Sequence, residues 1–323
     1  MSAMTSALLN APLLFFVLGA LSRLARSDLR IPRALSKTLS IYLLAGIGLH
    51  GGAQLANAGL ASLLAPAAAA LALASLIPLA AYAVLRRLLR LDGFNAAAIA
   101  AHYGSVSVAT FMAATAWLQS RNVDYEPALV VMLAIMEVPA ILIGLYLAER
   151  CRGSAKTGAT SWTAIPASLL RHGSVLLLAG TILIGAIASR ASLDAVNPFF
   201  EKLFMGALCL FLIDLGIQAA TRLGDLKASA LPLALFGVLA PIAFGSAGLL
   251  VGHAVLGFGV GGTTLVAVLA ASASYIAVPP AMRMGVPEAN PALYLMLSLG
   301  VTFPFNLMFG IPLFNHLAVW ISK

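Results

Sequence analysis

The chain is poor in charge, in acids and in cysteine. Only 9% of its 323 residues are Asp, Glu, Lys or Arg, against about 25% in an ordinary soluble domain, so no aqueous fold could keep its surface wet. Its Asp and Glu together number 11. No apolar segment carries a pair of carboxylates, and no His-rich metal spacing or phosphate loop occurs, which argues against an enzyme. The two cysteines, Cys151 in a polar loop and Cys209 in an apolar run, match no metal spacing and do not suit a disulfide. No Lys or Arg precedes the first apolar run, from Met1 to Ser6, so the basic region of a cleaved signal peptide is missing and the first helix is expected to stay.

What is abundant is apolar sequence, 61% of the chain. It comes in long runs between short polar breaks, and about 20 residues cross a bilayer as helix. The runs lack the alternation of barrel strands, so the spans are expected to be helical. The net charge of +8 does not point to nucleic acid, because the basic residues sit singly or in small groups at the ends of apolar runs.

Ten spans are expected, at 7–22, 38–56, 65–85, 94–118, 127–149, 170–189, 199–220, 231–256, 262–282 and 290–320, the last long enough to hide a kink. With the N-terminus outside, only Arg121, Arg190, Lys202 and Lys323 fall outside and all other Lys and Arg fall in the cytoplasm. The positive-inside rule therefore places both termini outside the cytoplasm, for a multi-pass protein of the cell (inner) membrane.

Self-comparison shows a repeat. IGLHGGAQLANAGL from Ile47 aligns with LGIQAATRLGDLKA from Leu215, an offset of 168. Ser105-Val106-Ser107 aligns with Ser272-Ala273-Ser274 at offset 167, and Pro127-Ala128-Leu129 with Pro291-Ala292-Leu293 at offset 164. An odd number of spans per copy turns the second copy upside down. The expected fold is thus all-α and integral to the membrane, with two inverted five-helix repeats at 1–155 and 156–323, an arrangement that favours alternating-access transport.

Polar residues inside apolar runs are functional candidates, since an unpaired charge in hydrocarbon costs several kcal/mol. Glu137 and Asp214 are the two acids at mid-span; each suits a cation or proton site, or else a structural hydrogen bond. Span four carries Gly104 and span nine Pro279-Pro280, both helix breakers. Ser105, Ser107, Thr110, Ser272 and Ser274 gather beside those breaks in both copies. Unwound backbone survives at membrane depth only where it lines a cavity or is buried in protein, and half-helix ends there suit anions and sodium. Small polar residues also glue membrane helices together. Glu137 is followed by Pro139, and span ten places Thr302, Pro304 and Asn306 correspondingly. His50, His102 and His253 have no metal-ligand spacing; His102, beside the first break, suits a structural hydrogen bond.

These stretches resemble the SbtA-type sodium-dependent bicarbonate transporters. The resemblance rests on GSVSVATFMAA from Gly104 to Ala114, on Glu137 to Ala140, on AASASYIAVPPAMRMGVPEANPALY from Ala270 to Tyr294 and on Gly216 to Gly224. It implies ten spans, inverted repeats, a homotrimer in lipid, and bicarbonate symported with sodium near two broken helices. Some members answer to a cytoplasmic PII-like regulator. No cofactor beyond sodium as the coupling ion is implied. Carried onto this chain, the anion site would comprise Gly104, Ser105, Ser107, Thr110, Ser272, Ser274 and Asn306, and the cation site Ser107, Glu137, Asp214, Ser274 and Thr302. Three departures stand out: Tyr275 where the cyanobacterial pattern has aspartate, Glu137 where it has aspartate, and a short loop between the halves. Asp214 is a candidate to compensate for the charge lost at Tyr275. The departures bear on the cation stoichiometry, the anion and the PII-like partner. A sodium- or proton-coupled carrier of a small organic carboxylate is the alternative reading.

Overall fold

A computed structural model describes residues 11–58, 63–152, 173–224 and 231–323. The segment before Ala11, the junction between the expected halves, and Lys156, Arg171 and Lys227 lie outside the described residues. Every described element is a helix, as hydrocarbon requires of a backbone that must satisfy its own polar groups.

In chain order these are α1 (Ala11–Leu24), α2 (Arg33–Ala58), α3 (Leu64–Arg87), α4 (Gly93–Gly104), α5 (Val108–Gln119), α6 (Ala128–Met136) and α7 (Pro139–Arg152). There follow α8 (Gly173–Ile187), α9 (Arg190–Asn197), α10 (Phe204–Gly224), α11 (Leu231–Leu250), α12 (Val260–Ala271), α13 (Val278–Gly285) and α14 (Pro291–Ile321). Six described helical stretches are long and apolar enough to cross a membrane: Leu64–Arg87, Gly93–Gln119, Ala128–Arg152, Arg190–Thr221, Leu231–Val255 and Pro291–Ile321. The protein is a multi-pass membrane protein.

Two of the expected spans are broken, and a third carries a shorter interruption. Gly104 ends α4 and α5 restarts at Val108. The second gap runs from Ser272 to Ala277, upstream of the double proline. Pro279 sits instead in the first turn of α13, where its missing N–H costs nothing because that donor has no intrahelical partner anyway. Between α6 and α7 only Glu137 and Val138 leave the helix, just before Pro139, a proline that disfavours helical geometry at the residue preceding it. The kink suspected in the last span takes the form of two π-helical segments in α14, Met296–Thr302 and Asn306–Gly310. They flank Pro304, whose ring an unbroken helix could not seat. The loop expected before span seven is helix α9, continued into the span by a π turn at Pro198–Lys202.

The packing follows a cross-over pattern. α1 runs against α10 and α2 against α8, and glycine lets each pair touch backbone to backbone. A methyl at Gly19 would strike the Ile213 carbonyl, and one at Gly216 that of Phe16. Gly52 and Gly185 meet the carbonyls of Ile182 and Leu49 in the same way. Without a hydrophobic drive between helices in lipid, such close approach supplies the dispersion contact that holds them. On the other side of the molecule α4 lies between α3 and α7, and α12 between α11 and α14. The stretch Gly93–Gln119 is almost wholly buried, whereas α3, α8 and α11 turn Leu76, Leu183 and Leu239 outward. That contrast separates an interior of broken helices from a lipid-facing shell.

Polar tethers fix the starts of the first half-helices. Asp92 caps α4 by accepting from the amides of Phe94 and Asn95, and Asn95 Oδ1 accepts from the Asn290 amide at the head of α14 at 2.7 Å. At the head of α12, the Gly259 amide donates to Glu126 Oε1, also at 2.7 Å. Arg152 at the end of α7 donates to Glu149, to Glu288 and to the Gly285 carbonyl that closes α13.

Candidate functional site

The two gaps meet. The Ser107 amide donates to Ser272 Oγ at 3.0 Å, and the Ser274 amide donates to the His102 carbonyl at 2.8 Å. Ser272 of the second gap thus satisfies an amide of the first, and the end of α4 satisfies an amide of the second, which is what permits non-helical chain at this depth. Ser272 Oγ donates in turn to the Leu269 carbonyl. Gly104 is obligatory here: a methyl would press on the Pro78 ring and on Ala140.

Beside the crossing lies a cavity of about 30 Å³, lined by Ser40, Leu44, Val106, Ser107, Val108, Glu137, Ser274, Tyr275, Ile276 and Ala277. Since ~10–15 Å³ measured this way holds one water, the space suits a small ion. Its polar contribution is three serines, one tyrosine and one carboxylate, and the lining contains no Lys, Arg or His. Ser107 is the N-cap of α5; its Oγ accepts from the Thr110 amide and from Thr110 Oγ1 at 2.9 Å. With both acceptor sites so used, the Ser107 proton remains to be donated. The N-termini of α5 and α13 both reach the cavity, through Val108 and Ala277; helix N-termini favour negative charge, and α5 offers the fuller set of N–H groups because Pro279 and Pro280 carry none. The carboxylate of Glu137, 2% exposed, favours a cation in the same space.

The candidate residues thus divide. Ser107, Ser274 and Glu137 share the cavity. Ser105 is buried alongside and donates to the Glu137 carbonyl at 3.3 Å; Ile141 turns to the Val138 carbonyl instead. Thr110 and Ser272 act behind Ser107 and do not line the space. Asn306 donates to the Ala271 carbonyl at the end of α12, again behind the wall.

Asp214 and Thr302 stand apart from the cavity lining. Asp214, 7% exposed, accepts at Oδ2 from Ser36 at 2.5 Å and from Gln218 at 2.7 Å. It joins α10 to α2 through a satisfied network. Thr302 Oγ1 donates to the Gly237 carbonyl at 2.7 Å and meets the Tyr103 hydroxyl at 2.6 Å, linking α14 to α11 and α4. His102 hydrogen-bonds the Ala98 carbonyl through Nδ1 and stacks on Tyr294, with Nε2 unpartnered; the structural reading covers its Nδ1.

Two polar lining residues are not among the sequence candidates for binding. Ser40 lies one helical turn after Ser36 on α2, and Leu44 of the lining follows one turn later. The recurrence of serine at that spacing, which places both on one face of the helix, is the signal available in the sequence. Tyr275 stands out there only as a departure from a pattern. Among the described residues no group of three or more His, Cys, Asp or Glu could hold a metal ion. A family model described as the Na+-dependent bicarbonate transporter superfamily matches residues 11–319. No curated protein matches the chain.

Proposed function

The chain belongs to the Na+-dependent bicarbonate transporter superfamily, and from that premise we propose that it is a secondary active symporter carrying bicarbonate with sodium through the cavity at the crossed gaps. The observation that carries this reading is the pairing of one buried carboxylate, Glu137, with serine hydroxyls and two helix N-termini around one small space. Sodium is held at Glu137 and Ser274, and the anion lies toward the starts of α5 and α13, where Ser107 has a proton to donate. With Glu137 ionised and no cationic side chain in the lining, an anion entering alone would be repelled. A cation bound first removes that penalty, which couples the two fluxes. The small volume favours a planar oxyanion over a longer organic carboxylate.

The frame is two inverted five-span halves, ten spans in all. Three relationships support it. α1 pairs with α10 while α2 pairs with α8, the exchange expected when span one corresponds to six and span two to seven. α4 sits between α3 and α7 as α12 sits between α11 and α14. Glu126 and Asn290, equivalent at offset 164, tether the starts of α12 and α4 respectively. Two like halves that trade conformations expose one central site to each side in turn.

The test is uptake of labelled bicarbonate into proteoliposomes with and without an inward sodium gradient, for wild type, Ser107→Ala, Glu137→Gln and Ser274→Ala. Uptake should need the gradient and fall in all three variants. Sodium-independent uptake that all three variants leave unchanged would end this reading.

A further inference from the structure

Resting on the transport reading above, we propose that the Tyr275 hydroxyl is a ligand of the transported anion, paired with the free proton of Ser107. Tyr275 lies in the gap between α12 and α13 and lines the cavity. It is 8% exposed, and its hydroxyl has no hydrogen-bond partner. Ser107, from the opposite gap, lies beside that hydroxyl. A buried donor left unsatisfied is costly, and native structures leave few. Tyr275 is one of five polar residues in a lining otherwise built from Leu44, Val106, Val108, Ile276 and Ala277, so this cavity is where a partner for the hydroxyl can be supplied.

The chemistry of the lining says which ion that partner is. Glu137 is its one carboxylate and already supplies the acceptor a cation needs. An anion needs donors, and the lining offers no cationic side chain. A phenol is a better donor than an aliphatic alcohol and carries no charge at neutral pH. Tyr275 and Ser107 come from opposite gaps, so one oxyanion bridging them would tie the two broken helices together. The ring itself is held independently, edge-on to Phe303 at 5.4 Å. Replacing the hydroxyl alone should therefore leave the wall in place.

The experiment compares wild type and Tyr275→Phe in proteoliposomes, measuring the bicarbonate KM at saturating sodium and the half-saturating sodium at saturating bicarbonate. Loss of one hydrogen bond to a charged ligand should raise the bicarbonate KM roughly tenfold or more, with half-saturating sodium at saturating bicarbonate unchanged. Thermal melting of the purified variant within a few degrees of wild type shows that the fold is kept. An unchanged KM, or a shift confined to sodium, overturns the assignment while sodium-driven uptake by wild type leaves the transport reading intact. Wild type without sodium-driven bicarbonate uptake overturns the transport reading and this assignment with it.

Discussion

The Ser107 amide donates to the Ser272 hydroxyl at 3.0 Å, joining the two helix gaps directly. Ser272→Ala leaves that N–H buried without an acceptor, which costs about 1–3 kcal/mol. Ser105→Ala removes only a long bond of 3.3 Å to the Glu137 carbonyl and should cost less than about 1 kcal/mol. Denaturant unfolding in detergent should rank the two in that order. Equal losses would show that the crossing bond is not what holds the gaps together.

The two buried acids should separate by phenotype. Glu137 lines the cavity, whereas Asp214 sits in a network with Ser36 and Gln218. Glu137→Gln should raise half-saturating sodium at least roughly tenfold, the scale of one charge-assisted ligand. Asp214→Asn should leave sodium affinity near wild type and lower thermal stability. Sodium titration of uptake, with melting curves alongside, distinguishes them; a sodium defect in Asp214→Asn alone would move the cation to α10.

Glycines on one helix should respond with opposite signs. Gly216 touches the Phe16 carbonyl of α1, whereas nothing lies near a methyl at Gly206. Both are in α10, so the intrinsic helical gain of alanine, about 0.5–1 kcal/mol, is common to both. Gly206→Ala should show that gain. Gly216→Ala should instead lose about 1–3 kcal/mol through forced separation of α1 and α10. Equilibrium unfolding of the two variants in one detergent checks the sign.

The sequence makes the broken helices legible but not their chemistry. Gly104 and the serine clusters mark the gaps because breaker and small polar residues stand together in both apolar stretches. The second gap is displaced: Pro279-Pro280 reads as a break, yet proline is free of cost in a first helical turn, so the chain unwinds earlier, at Ser272. Asp214 and Thr302 draw attention as polar groups in apolar runs. Their partners, Ser36 and Gly237, are 178 and 65 residues away, and no local pattern announces such satisfaction. Tyr275 stands out in the sequence only as a departure from a family pattern; its place in the lining is visible only in the fold. Composition marks which segments are apolar enough to enter a membrane; which polar groups face one another is settled by tertiary contact.

The Arg152–Glu288 contact should make stability pH-dependent. Arg152 Nη2 lies 2.7 Å from Glu288 Oε2 and also donates to the Gly285 carbonyl. The hydrogen bond from Arg152 holds the Glu288 carboxyl below its ordinary value of 4.5. A carboxyl whose folded pKa is depressed stabilises the fold above the unfolded pKa, and that contribution disappears as the pH falls through the folded value. Glu288→Gln never has it. The melting-temperature gap between wild type and Glu288→Gln should therefore be full at pH 7, begin to narrow near pH 4.5 and close below it. The side chains are 24% and 39% exposed, so the gap should be small and should shrink with added salt. A gap that stays constant from neutral pH through the acid range would show that the Glu288 carboxylate does not support the joint between α7 and α13.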